Sequence, residues 1–461
     1  MRSKIDILVN NALVVTMNSE KRVIERGYVA VRDGIIVDVG VGDGLDKYTA
    51  EETISGRRVI VIPGLLCAHT HFYGLLLTGS PWYNKIEPPT DFQQKLQRVW
   101  WAIDVLISYE EAYASALMGS ILFARSGVTS FFDNISSPNT ISGVLDYVER
   151  GVSEVGLRGF ISFEATQRRS DAEGFAGLTE NERFIKKNNY DSSKLVKGAI
   201  YVHASFTVKD ELLIKARELS DNYNALLAIH SEEGLVDVYH NIEHYGTRPV
   251  ERLHRIGFLG PRTHLVHVVH TTDEELELIK KTGSHIAHNP TSNMLNAVGV
   301  ARVPDMLKLG INVGLGNDGY IFDHFEVMRA AFLIHKVWRR DPRVLSSLQV
   351  FEMATINVAR MFHMDNQLGS IEPGKRADIV ILKPKTPNTP VNSQTIYTHL
   401  VNTFNSRDVD TVIVNGKFVL RNSRLVNIDE EKAVDYVHSI VEKFWDKLLS
   451  KGAPQVNYVK D

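Results

Sequence analysis

The stretch Pro63-Gly64-Leu65-Leu66-Cys67-Ala68-His69-Thr70-His71 runs an apolar segment into a His-x-His pair. Such a run reads as a buried strand, and side chains two apart on a strand project to the same face. His69 and His71 therefore converge on one point, and Cys67 shares their face one step deeper as a buried, inert thiol. Taken alone the pair is a weak signal, because strands produce it by chance. Its meaning depends on the runs around it.

Outward from that stretch, short β-branched-rich runs recur at 59–66, 128–132, 157–163, 196–202, 225–230, 264–268, 284–288 and 311–315. Helix signals lie between them. Ser108 and Glu111 open a helix through Arg125 that closes at Gly127, Thr207 with Asp210 opens another, and Thr272 with Glu275 opens one ending at Gly283. Val303 to Leu309 make a short helix before Gly310. Eight strands with helical crossovers over roughly 260 residues predict an α/β fold, a (β/α)8 TIM barrel. A doubly wound open sheet is the alternative, and the strand count favours closure.

The two ends of the chain read differently. Residues 5–40 hold a hairpin turning at Asp33-Gly34, and the far end carries a strand at 377–382 and a hairpin turning at Asn415-Gly416. Neither piece has enough strands to bury a face, so both termini are expected to build one small β-sandwich domain. The expected division is 1–58 for its first part, 59–374 for the barrel, 375–425 for its second part, and 426–461 for a C-terminal helix (429–451) and tail.

With 461 residues, 44% of them hydrophobic and 23% charged, the chain has the composition of a globular protein. A net charge of -3, from 52 basic and 55 acidic residues, supplies no field for nucleic acid or an anionic membrane. Small-molecule partners are expected instead. No apolar run approaches the ~20 residues of a membrane span, and Met1 to Met17 mixes Lys4, Asp6, Asn10 and Asn11 among its apolar residues, so it reads as strand rather than secretion signal. One cysteine suits a reducing compartment, so a cytoplasmic location is expected.

In a parallel barrel the C-terminal strand ends carry the chemistry. His69 and His71 end the first strand, His230 the fifth and His267 the sixth, and Asp318 follows the eighth. Two histidines, a third and a carboxylate make an N3O donor set suited to one divalent ion, Zn²⁺ first, with Fe²⁺ and other borderline ions open.

These segments, with His230-Ser231-Glu232-Glu233, His288-Asn289-Pro290-Thr291-Ser292-Asn293, Gly314-Leu315-Gly316-Asn317-Asp318-Gly319 and Gly369-Ser370-Ile371-Glu372-Pro373-Gly374, resemble the amidohydrolase superfamily. The likeness is to its cytosine deaminase and chlorohydrolase branch. The loop from Phe72 to Trp101 further resembles the SsnA-type aminohydrolases.

The resemblance implies that His69, His71, His230 and Asp318 hold one metal ion. It also implies that Glu233 shuttles protons, that His267 holds the nucleophile or the substrate, and that His203 touches substrate. Asp318 would also accept the proton of the attacking water. Binuclear relatives bridge two ions with a lysine on the fourth strand; Val202 and His203 stand there, which points to one ion. Trp82, Tyr83, Trp100 and Trp101 after strand 1, and Tyr320, Phe322 and Phe325 after strand 8, offer aromatic faces to a planar ring, Trp82 foremost. Arg168 and Arg169 stand where they could reach a polar substituent, and His288 is read as supporting the site from behind.

The expected function is hydrolytic deamination of an amino-substituted N-heterocycle with release of ammonia. The alternatives are a chlorohydrolase or cyclic-amide hydrolase with the same metal site, and a non-catalytic scaffold on the same fold. A homodimer is the expected assembly.

Overall fold

The computed structural model describes residues 2–451, apart from Arg57, Thr386 and Asn388, so the tail expected after the last helix lies outside the described residues. The barrel strands are Leu65–Thr70, Val128–Ile135, Arg158–Ala165, Ile200–Ala204, Leu227–Ser231, Thr263–His267, His285–His288 and Val313–Leu315. They lie side by side in chain order, each parallel to the next, and a short strand Val196–Gly198 extends the third. All but Phe160 and His285 of the residues in these eight strands are buried, as expected for parallel strands covered on both faces. This is the TIM barrel the alternation predicted.

The barrel shuts at a narrow seam. The eighth strand meets the first through a Thr70–Asp318 bridge, with Asn317 N donating to His69 O at 3.1 Å and His71 N to Asp318 O at 3.2 Å. The seam is therefore made from the peptide groups of prospective metal ligands.

Helix Tyr109–Arg125 begins with a Ser108/Glu111 capping box, and Asp273–Thr282 begins with a Thr272/Glu275 box and ends on Gly283 at φ 70°. One expected cap is corrected. Helix Asp210–Tyr223 starts behind Lys209, and Thr207 sits in a 3-10 turn where its hydroxyl lies 2.8 Å from His203 Nδ1. The threonine is engaged by the site rather than by the helix.

The expected strand 59–66 divides at Gly64. Ile60–Pro63 joins the sheet of the termini, and the barrel begins only at Leu65. Both halves are buried and apolar, so hydrophobicity runs across the boundary; Gly64 marks it, with no room for a side chain because an added Cβ would meet Thr129 Oγ1 at 2.1 Å. Ser3–Val15, Val23–Arg32, Ile35–Val41, Tyr48–Ile54 and Ile60–Pro63 join Ile379–Leu382, Val409–Val414, Lys417–Arg421 and Arg424–Leu425 in one nine-stranded sheet. Ile35 bridges Arg376, so the sheet curls over a core that includes Val9, Val29, Val31, Ile379 and Ile413.

The two units are tied by a buried ion pair. Arg158, opening the third barrel strand, reaches Asp378 at 3.2 Å, and Asp378 Oδ1 also accepts from Asn415 N at 2.8 Å. Asp378→Ala is expected to cost about 3–5 kcal/mol, because it strands the Arg158 charge in a dry setting. An Arg158→Met/Asp378→Leu double variant should lose less, and denaturant melts of the two would show the difference. The last helix, Glu430–Lys451, packs outside the barrel; Arg125 pairs with Glu430, and Trp445 Nε1 donates to Leu76 O at 2.7 Å.

Candidate active site

Four side chains from three regions of the chain meet at the mouth of the barrel beside its seam. His71 Nε2 lies 3.1 Å and His69 Nε2 3.4 Å from Asp318 Oδ1, and His230 Nε2 lies 3.3 Å from His71 Nε2 and 3.4 Å from His69 Nε2. Around an ion with ligand bonds of about 2.0–2.1 Å, tetrahedral donors stand about 3.3–3.4 Å apart. The observed separations fit that frame.

The tautomers agree. His71 Nδ1 faces Asn134 O at 3.1 Å and His230 Nδ1 faces His203 O at 2.8 Å. A carbonyl can only accept, so each proton sits on Nδ1 and the two Nε2 atoms turn bare lone pairs toward each other. Two lone pairs at that distance repel unless a cation lies between them. The surroundings demand positive charge as well. Until an ion takes that place a proton can: burial works against it, yet Asp318, Glu164 and Asp133 push His71 up to about 9. Burial likewise opposes ionisation of Asp318, but the adjacent His69 and His71 outweigh it and hold the carboxyl well below the usual range. The donor set fits a divalent ion.

His267 completes the group. Its Nε2 lies 3.3 Å from Glu233 Oε2, its Nδ1 lies 2.8 Å from Asn293 Oδ1, and a nitrogen of its ring is within 4.8 Å of ligating atoms of His69, His230 and Asp318. The backbone is bent to bring these groups in. Glu232, His267, Val268 and Asp318 have φ of 51°, 76°, 44° and 59°, and a β-branched residue such as Val268 adopts such an angle only where its neighbours enforce it. Here Val268 N donates to Ser231 O at 2.9 Å and Val269 N to Glu232 O at 3.0 Å. Of the adjacent acids, Glu233 faces the cluster, while Glu232 turns away to Arg248 at 3.3 Å.

A cleft leads to this point, and Tyr73, Trp100, Trp101, Glu164, His203 and Glu233 are among its lining residues. A family model described as the amidohydrolase family matches residues 60–419, a span that takes in every one of these groups. The chain belongs to the amidohydrolase family. Among its relatives, a 5'-deoxyadenosine deaminase of Methanothermobacter thermautotrophicus is 34% identical over 417 residues, 89% of this chain and 93% of that protein. A 5-methylthioadenosine/S-adenosylhomocysteine deaminase of Syntrophomonas wolfei is 30% identical over 447 residues, 96% of this chain and all of that one. Among solved structures, an adenosine deaminase from Xanthomonas campestris with bound zinc superposes with a TM-score of 0.87 at 24% identity, over 98% of this chain and 100% of that chain. An atrazine chlorohydrolase from Arthrobacter aurescens, complexed with zinc, gives 0.78 at 23% identity over 94% and 100%. The two structures establish the shared fold.

Not every expected residue reaches the amidohydrolase cleft. Trp82 is buried in the long loop, its indole donating to Arg98 O at 2.8 Å, and it does not line the cleft; Trp100 and Trp101 do. A loop aromatic carries no periodicity to say which way it faces. Arg168 is spent on Asp104 at 2.7 Å and stands 4.8 Å over the Trp101 ring, and Arg169 pairs with Glu173, so both brace the wall. His288 lies 3.1 Å from His335 and holds no position among the ligands.

Sequence reasoning passed over Glu164, Asp104, Ser292 and Asn296. Glu164 sits between His203 Nε2 at 3.7 Å and His71 Nδ1 at 4.0 Å, and burial pushes its carboxyl up to about 7. A carboxylate inside the apolar run ending the third strand was the available sign.

Proposed function

We propose that this amidohydrolase deaminates an adenosine-type purine, replacing the ring amino group by an oxo group and releasing ammonia. The observation that carries the reading is Glu233 set against His267 beside the His69, His71, His230 and Asp318 cluster, together with the deaminase names of its full-length relatives. His69, His71, His230 and Asp318 would hold the ion, Zn²⁺ first and Fe²⁺ as the alternative. Such an ion supplies a water acidified toward neutral pH.

The chain's own groups do the rest. Asp318, whose Oδ1 faces His69 and His71, takes the proton of the attacking water. Glu233, buried and next to the negative Asp318, is held well above the usual carboxyl range, so it arrives protonated and gives that proton to the ring nitrogen beside the amino-bearing carbon. His267 Nε2 steadies the oxygen that becomes the oxo group. The proton held by Asp318 then goes to the departing nitrogen, the C–N bond breaks as ammonia leaves, and the proton of the added hydroxyl returns to Glu233 as the oxo group forms. Trp100, Trp101 and His203 flank the ring.

An ammonia assay tests this over adenosine, 5'-deoxyadenosine, 5'-methylthioadenosine, S-adenosylhomocysteine, guanine, cytosine and a chlorotriazine. The expected result is ammonia from one or more adenosines, lost on chelation and restored by Zn²⁺ or Fe²⁺. Chloride from the triazine with no ammonia from any purine would move the assignment to halide displacement. Inertness toward the whole panel, in protein that cannot be reloaded with metal, would favour the scaffold.

A further inference from the structure

The indole of Trp100 is a donor only, and that sets the direction of a hydrogen-bond chain reaching both acids. Trp100 Nε1 donates to the Tyr320 hydroxyl at 3.0 Å, and that hydroxyl donates its one proton to Asn296 Oδ1 at 3.1 Å. The Asn296 amide nitrogen is thereby turned inward. It gives one N–H to Glu233 Oε1 at 3.1 Å and the other to Ser292 Oγ at 3.2 Å. Ser292 passes its own proton to Asp318 Oδ2.

Each acid thus has one oxygen tied from behind and presents the other to the centre. Glu233 presents Oε2, which faces His267, and Asp318 presents Oδ1, which faces His69 and His71. With Oε1 accepting from an amide, the acidic proton of Glu233 belongs on Oε2. The chain gathers residues from separate crossovers: Trp100 ends a π-helical turn, Leu96–Trp100, in the connection after strand 1, Asn296 caps helix Pro290–Leu295 after strand 7, and Tyr320 follows strand 8.

We propose that Asn296 is the positioning residue for both acids, oriented by Tyr320 and Trp100. The inference rests on the proton-transfer roles given to Glu233 and Asp318 above. It has a metal arm and a turnover arm.

In the metal arm, chelator competition on the metal-free protein should find Zn²⁺ bound about tenfold more weakly by Asn296→Leu and by Ser292→Ala, and as in the wild type by Glu233→Gln. In the turnover arm, on whichever substrate the wild type consumes, zinc-saturated Tyr320→Phe should lose about tenfold in kcat and Asn296→Leu about a hundredfold, with KM within about twofold. Because the links act in series, the double variant should be no worse than Asn296→Leu alone.

Tyr320→Phe removes a single oxygen, so it keeps the question open to test if Asn296→Leu melts early. Wild-type kcat in Tyr320→Phe, losses that multiply in the double variant, or wild-type zinc affinity in Asn296→Leu would each overturn the proposal. If the wild type consumes nothing offered, the substrate reading fails and the zinc arm still decides this one.

Discussion

Glu233→Gln is expected to lower kcat by about two to four orders of magnitude while the protein keeps its metal, the range seen when a general acid is removed at a step that needs it. Glutamine fills the same volume and its carbonyl can still accept from Asn296, so the wall of the cleft is preserved. What it cannot do is release and recover a proton. The side chain stands outside the four-ligand set, so metal content by elemental analysis should match the wild type. Glutamine is neutral, as Glu233 is when burial and the negative Asp318 keep it protonated, so the melting temperature should hold. A fully active Glu233→Gln protein would remove this residue from the proton path and leave His267 or Glu164 to be tried.

His230→Ala is expected to do the opposite to the metal. Its Nε2 stands within 3.4 Å of both His69 Nε2 and His71 Nε2, and its Nδ1 is anchored on His203 O. Truncation leaves three donors around a void and removes the link to the fourth strand. After dialysis the variant should retain little metal, and activity should fall by more than the roughly 10–100-fold that groups behind the ligands produce. Excess Zn²⁺ should restore only a part of it, since three donors hold the ion more weakly than four. Wild-type zinc stoichiometry and affinity in His230→Ala would break the four-ligand assignment.

The barrel was legible because its information is local. Each strand is a short apolar run, and where it ends is where a reactive side chain can face the mouth, so His69, His71, His230, His267 and Asp318 could be picked out by position. What the runs could not carry was membership in a sheet. Ile60–Pro63 and Leu65–Thr70 are equally apolar and belong to different sheets, a distinction made by partners hundreds of residues away, such as Ile379–Leu382 against the former. The same holds for the site. Asn296, Ser292 and Tyr320 earn their places from contacts between loops, and Trp82 and Trp100 are the same residue type in the same loop with opposite fates. Polar residues in connections have no period, so only the assembled mouth sorts them.

The closing of the barrel on the peptide groups of His69, His71 and Asp318 gives the cation a second employment. An ion gripping those side chains also clamps the first strand to the eighth, which meet through the Thr70–Asp318 bridge. Loading the protein and fastening its ring become a single thermodynamic event, and starvation for metal would loosen the scaffold at the same place where it silences the chemistry.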